Sequence, residues 1–282
     1  MSGTNRWIRA ALPLLLLVTA AAAPAGAADR KHWWSGAPER EAEPFHWAGH
    51  LDEGGTLEVH GINGNVHATL STGNRVEVEA VRRGRKDDPE DVKIEVIERG
   101  EKVVVCARYP NPSGGLNDCG SEHQNVQDCD VNVEFTIRVP ANVTFVPRNV
   151  NGSIEAMGLQ GPVVATTVNG NVDVSTTASA EAHTVNGSID VHMGLPDPDD
   201  DDGVFEFETV NGKIALEVPK DVDADVDAKT ANGSIHSELP VTVKSSKDDP
   251  WNVRRRLVGR IGEGGARLKM ETVNGSIELA GY

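Results

Sequence analysis

Four groups of residues in this 282-residue sequence have types and spacings that could do chemistry. Cys106, Cys119 and Cys129, with His123 among them, make a Cys-Cys-His-Cys set of the kind that holds zinc, although the spacing matches no standard knuckle. In an oxidising compartment the same cysteines read more simply as one disulfide and one leftover thiol. A bridge closing a loop of this size contributes about 3 kcal/mol. Asp197, Asp199, Asp200, Asp201 and Asp202 offer calcium-type oxygen ligands. The glycine that an EF-hand-type loop needs in sixth place falls seventh, at Gly203, so the run reads as a solvated acidic loop. Asp173, Asp190 and Glu278 share one offset after a recurring Asn-Gly, as paired carboxylates of a polysaccharide-cleaving β-helix would. Ala215 and His236 interrupt that offset, which favours an outward, solvated row. Finally, residues 244–269 carry eight basic against three acidic side chains, with Arg254, Arg255, Arg256 and Arg260 at the centre. They read as an anion-binding patch or as a segment folded back onto the protein's own acids.

Other motifs carry less. No Gly-x-Ser-x-Gly elbow is present. His46 and His50 are four apart outside any helical pattern, and His183 and His236 sit at different offsets. Sequons occur at Asn142, Asn151, Asn186, Asn232 and Asn274, but four of the five are the repeated turn itself. No cofactor is implied.

The elements that must position these residues are strands. Residues 56–61, 75–81, 92–98, 102–109 and 130–139 alternate apolar with polar side chains and are rich in Val and Ile. Only 89–98 has an arguable helical reading, and its β-branched residues oppose it. From Val143 onward a repeat takes over. The Asn-Gly pairs are Asn63-Gly64, Asn151-Gly152, Asn169-Gly170, Asn186-Gly187, Asn211-Gly212, Asn232-Gly233 and Asn274-Gly275. From Asn151 on they are separated by 18, 17, 25, 21 and 42 residues, the last as if one repeat had lost its signature.

Asn-Gly is the strongest short hairpin signal. In "TTVNGNVDV", however, a two-residue hairpin puts Val168 on one face and Val172 and Val174 on the other. A coil corner removes that conflict, with Val168 pointing inward before the corner and Val172 and Val174 after it. Glycine would supply positive φ at each corner, and the asparagines of stacked coils would form an amide ladder. The fold expected is therefore all-β, a single-chain β-solenoid (β-helix-like) of 17–25-residue Asn-Gly repeats. A hairpin-rich β-sandwich is the alternative.

The first 27 residues have a short basic start and an apolar run from Ala10 to Ala23 with a small-residue exit, the pattern of a cleavable secretory signal. No other stretch is long and apolar enough to cross a bilayer as a helix. Residues 28–44 then read as a flexible leader and 45–282 as one β domain, with N-terminal strands over 45–140 and repeats over 141–282. The net charge of −16 argues against nucleic acid as a partner, because phosphate would be repelled. Aromatic residues make up 4%, few for a surface that grips carbohydrate by stacking.

The recurring Thr-Val-Asn-Gly-Ser-Ile, together with 76–110 and 254–279, resembles the exported bacterial "putative adhesin" domain family, whose function is unknown. The resemblance spans about 45–282 and implies a β-solenoid-like domain at the cell envelope, without catalytic residues. It also implies pairing of Cys106 with Cys119, leaving Cys129 over. The expected role is a non-catalytic binding, adhesion or scaffold module, periplasmic or secreted, whose partner is an envelope polymer or protein. The alternatives are a polysaccharide-active enzyme and an envelope stress-sensing partner. A coil stack ending at Leu279 would expose an unpaired strand edge, which predicts end-to-end self-association or a cap from the N-terminal strands.

Overall fold

The computed structural model describes residues 38–119, 128–195, 203–243 and 255–282. The signal and most of the leader, His123, Asp197–Asp202 and Arg254 lie outside the described residues. Where the sequence alternates it forms strands, 22 in all among the described residues, in two 11-stranded sheets. Each Asn-Gly joins an entry strand in one sheet to an exit strand in the other. The entry–exit pairs are β3 (Thr56–His60) and β4 (Val66–Leu70), β9 (Thr144–Arg148) and β10 (Ile154–Leu159), and β11 (Val163–Thr166) and β12 (Val172–Thr176). They continue with β13 (Ala180–His183) and β14 (Ile189–Met193), and β15 (Val204–Asn211) and β16 (Ile214–Val218). The last two are β17 (Ala224–Asn232) and β18 (Ile235–Ser237), and β21 (Ala266–Asn274) and β22 (Ile277–Gly281). An eighth pair, β7 (Lys102–Arg108) and β8 (Asn132–Val139), lacks the Asn-Gly.

Neighbouring coils pair in parallel. Val172 stands opposite Ile154 on one side and Ile189 on the other. No Asn-Gly pairs its own flanking strands, so the solenoid forms, as two facing sheets, and the hairpin sandwich does not. One core draws on both sheets. The exit sheet buries the row Phe135, Val66, Ile154, Val172, Ile189, Ile214 and Ile277. The entry sheet answers with smaller side chains in the middle coils, Ala165 and Ala182, and with Phe207 and Met270 further along. Burying each large aliphatic side chain contributes roughly 1.5–3 kcal/mol, and stacking identical registers makes that burial repeat coil after coil.

The order of coils in space is not their order in sequence. At one end, β3–β4 lies between β7–β8 and β9–β10. At the other, β21–β22 lies between β15–β16 and β17–β18. The 42-residue interval is therefore not a repeat that lost its signature. It holds β18, β19 (Thr242–Val243) and β20 (Arg256–Ile261), and β20 runs antiparallel to β17. The turn after β20 then crosses the start of β17, where the Glu263 amide donates to Asp223 Oδ1 at 2.7 Å. This crossing delivers β21 to the far side of β17.

That order overturns the expected open edge. β22 is paired on both sides, with β16 and β18, so end-to-end association through Leu279 loses its premise. The N-terminal strands cap the opposite end: β5 (Arg75–Gly84) runs antiparallel on β8, and β6 (Lys93–Arg99) on β7. β1 (Arg40–Glu41) and β2 (Phe45–His50) pair with β5 in turn. Within the leader expected over 28–44, Arg40–Glu41 is thus paired and Ala42 is buried, so the ordered fold begins before Phe45.

Candidate functional site

At the corners, the residue two before each Asn is the one that turns inward. Thr167, Thr184, Thr209, Thr230 and Thr272 are buried, and each hydroxyl donates to the glycine carbonyl of an adjacent coil at 2.9–3.0 Å. Asn149 takes the same place in its coil and donates to Gly64 O at 2.7 Å. A side chain at Gly61 would crowd the Asn149 amide, its Cβ falling 2.7 Å from Oδ1. The valines between Thr and Asn consequently face out. Val168, Val185, Val210 and Val273 are 37–41% exposed, which corrects the expected inward Val168. The physical reason is that a buried hydroxyl can satisfy a corner carbonyl that a methyl group cannot.

The glycine role also differs from expectation. Of the seven Asn-Gly glycines, only Gly64 and Gly152 have positive φ, at 111° and 148°. At Gly170, Gly187, Gly212, Gly233 and Gly275 a Cβ would instead overlap the glycine carbonyl oxygen of the next coil. Close stacking, more than backbone handedness, excludes a side chain there.

The asparagines form one continuous amide ladder. Asn151 donates to Asn63, Asn169 to Asn151, Asn186 to Asn169, Asn211 to Asn186, Asn274 to Asn211 and Asn232 to Asn274, all at 2.8–2.9 Å. Asn63 ends the row by donating to Cys129 O at 3.2 Å. One N–H of each Nδ2 is spent in the ladder, and a carboxamide has two. The result is a straight ridge of solvent-facing amides flanked by four exposed valines on adjacent coils. At the spacing of paired strands those valines span about 14 Å.

The other chemistry-bearing residues are dispersed. Cys106 and Cys119 form a disulfide with Cα atoms 5.8 Å apart, and Cys129 is a free, half-buried thiol. Burial pushes that thiol's pKa up, and the nearby carboxylates of Asp87, Asp130 and Asp91 add to it. Glu95 lies beside the bridge, with ligand atoms of the three residues within 4.8 Å of one another. Both sulfurs are spent on each other, so no thiolate remains there for zinc. Glu155, Asp173 and Asp190 stand side by side in register on the exit sheet's outer face, continuing through Ala215 to Glu278. They do not face each other across a groove, as flanking acid and base carboxylates must. Partial burial raises the Asp173 pKa, and Asp190 and Glu155 raise it further. His67 Nδ1 lies 2.9 Å from Glu155, and Lys213 Nζ 2.6 Å from Glu278. Of the described arginines in the basic segment, Arg256 lies 3.6 Å from Asp227 and Arg260 3.6 Å from Asp225, both on β17. Arg255 is exposed. Lys269 bonds Glu208 and Glu206, which raises its pKa.

The protein is thus an all-β, two-sheeted coil stack whose most regular outer feature is the Asn-Gly ridge. Residues 150–280 match the family model of the Toastrack DUF4097 domain, a domain of unknown function. The matched span is the repeat region, and the N-terminal strands lie before it. Among solved structures, the chain is similar to a "putative cell adhesion protein" from Clostridium sporogenes, at 11% identity and TM-score 0.41, covering 85% of this chain and 100% of that one. It is also similar to a "putative adhesin" from Bacteroides fragilis, at 11% identity and TM-score 0.35, covering 85% and 97%. No curated protein matches the sequence.

Proposed function

We propose that this is a non-catalytic binding module of the cell envelope or extracellular space, exported by its N-terminal signal, and that its ridge lies along an extended envelope polymer. The observation that supports this reading is the exposed column Val168, Val185, Val210 and Val273 beside the amide ladder. In a chain of net charge −16 a contiguous apolar stripe is a docking feature. Each of these four coils adds one valine and a second amide N–H at a spacing of about 4.8 Å, so a ligand with its own linear repeat gains contacts along the row. Rigidity matters here, because side chains held by the ladders lose little entropy on binding.

Co-sedimentation with isolated cell-wall polysaccharide tests the reading. The double variant Val185→Asp/Val210→Asp changes only exposed side chains and should weaken retention at least ten-fold while leaving the melting temperature nearly unchanged. Retention equal to that of the unaltered protein, or none by either, would sink the proposal.

A further inference from the structure

A second, independent site lies on the outer face of the entry sheet, at the end away from β17. Four strands, β6, β7, β3 and β9, place three rows of residues there in register. The rows are Arg99–Lys102–Thr56–Thr144, Ile97–Val104–Glu58–Val146 and Glu95–Cys106–His60–Arg148. Side chains from these rows, with Cys119 of the disulfide-tied loop, line a cleft of about 370 Å³. Ile97 and Val104 give it an apolar floor, and Arg99 and Lys102 stand at one side with His60 and Arg148 at the other. That volume is within the usual range for small-ligand sites.

The charges in the cleft do not balance. Glu58 is its one carboxylate, and Lys102 Nζ already holds it at 2.7 Å. Burial raises the Glu58 pKa, but Lys102 and His60 outweigh it and the net direction is down, so the carboxylate stays ionised. Arg99 and Arg148 have no side-chain hydrogen bond or acidic partner among the described residues, which leaves two unneutralised guanidinium groups in an acidic protein. His60 is 9% exposed, and its buried Nε2 lies 3.4 Å from Glu58 Oε2 without making a hydrogen bond. A buried polar nitrogen without a hydrogen bond, in a cleft that also holds two unpaired guanidiniums, is costly to keep unless a ligand completes it.

We infer that this cleft is a binding site for a phosphate-type oxyanion, held by Arg99 and Arg148 with His60 and Lys102 beside them. Two free guanidinium charges match a doubly charged group, and their planar forks suit its oxygens. The same chemistry is offered by a soluble phosphate ester and by a lipid head group, with the apolar floor receiving the adjoining carbon atoms.

Titration of the full chain with inorganic phosphate, followed by calorimetry and by the His60 ring resonances, tests the site. Saturable binding should move His60, and Arg99→Glu and Arg148→Glu should each weaken it at least ten-fold. Both arginines are exposed, so the fold should survive, and Arg75→Glu, on the other sheet, should leave binding within two-fold. A second arm uses vesicles of phosphatidylglycerol against phosphatidylcholine. Binding to the anionic vesicles that needs Arg99 and Arg148 assigns the phosphate to a lipid head group, while phosphate binding without it assigns a soluble ligand. No saturable phosphate response, or one that both charge reversals leave intact, would overturn the inference. Neither result bears on the valine ridge, which lies at the corners of the coils.

Discussion

The middle coils and the terminal coils of this protein solve the same stacking problem in different ways. From Asn151 to Asn211 the coils follow one another in space as in sequence, each held by an amide, a threonine or asparagine side chain and a glycine contact to its neighbour. At both ends the outermost Asn-Gly coil in sequence is moved one place inward, and antiparallel strands are laid on β7, β8 and β17. A stack that simply stopped would leave long parallel edges bare, whereas burying the chain's own terminal coils leaves antiparallel caps on β7, β8 and β17 and, in the exit sheet, the three-residue β18 as the edge. Periodicity builds the interior, and the ends depend on non-local pairing.

The largest test of that contrast is removal of residues 266–282. In a sequential solenoid, losing the final coil costs one interface. Here it removes the strands between β15–β16 and β17–β18, so β17 and β20 should come free, with a fall in melting temperature on the order of 10 °C or more. Calorimetry and amide exchange over 224–261 would read it, and unchanged protection there would contradict the swapped order. Next in size is Gly187→Ala in a middle corner, where the new methyl overlaps Gly170 O. It should cost about 3 kcal/mol by denaturant unfolding. Gly100→Ala, in the β6–β7 cap, meets open space at φ 60° and should cost about 1 kcal/mol.

The ladder gives a finer comparison. Asn186 donates to Asn169 and accepts from Asn211, whereas Asn232, at the end of the row, only donates to Asn274. Asn186→Ala should therefore cost about 1.5 kcal/mol and Asn232→Ala about half that. Equal losses would mean that the ladder carries no stability of its own. The smallest effect concerns Asp173 in the middle of the carboxylate row. Burial first, then Asp190 and Glu155, raises its folded pKa, so the folded state binds its proton more tightly than the unfolded state does. Stability is then lost as pH rises from the unfolded value through the folded one. Asp173→Asn should raise the melting temperature slightly at neutral pH and leave it unchanged in acid, where both forms are neutral.

Much of this was legible in the residues. Alternation placed β3, β5, β6, β7 and β8 within a few positions, because one-sided burial imposes a period of two whatever the neighbour is. The reading of 89–98 as strand rather than helix also holds, apart from a single 3-10 turn at Pro89–Asp91. Threonine's inward turn was not legible. Valine is the more apolar residue, and only the position of the next coil's carbonyl makes the hydroxyl the better one to bury. The cleft was invisible as well: Arg99 and Arg148 are 49 residues apart and line one cleft only through the pairing of four strands.

By itself the sequence determined that the chain is all-β, where its corners fall, and that each corner stacks on another like it, since Asn, Gly and a buried Thr satisfy one another only between coils. Which corner stacks on which was decided in three dimensions. Seven nearly equivalent corners offer the same hydrogen bonds to any neighbour, so local chemistry cannot rank the partners. The crossing turn at Asp223, the antiparallel caps and the burial of both terminal coils make that choice, and with it they bring together the cleft and align the ridge.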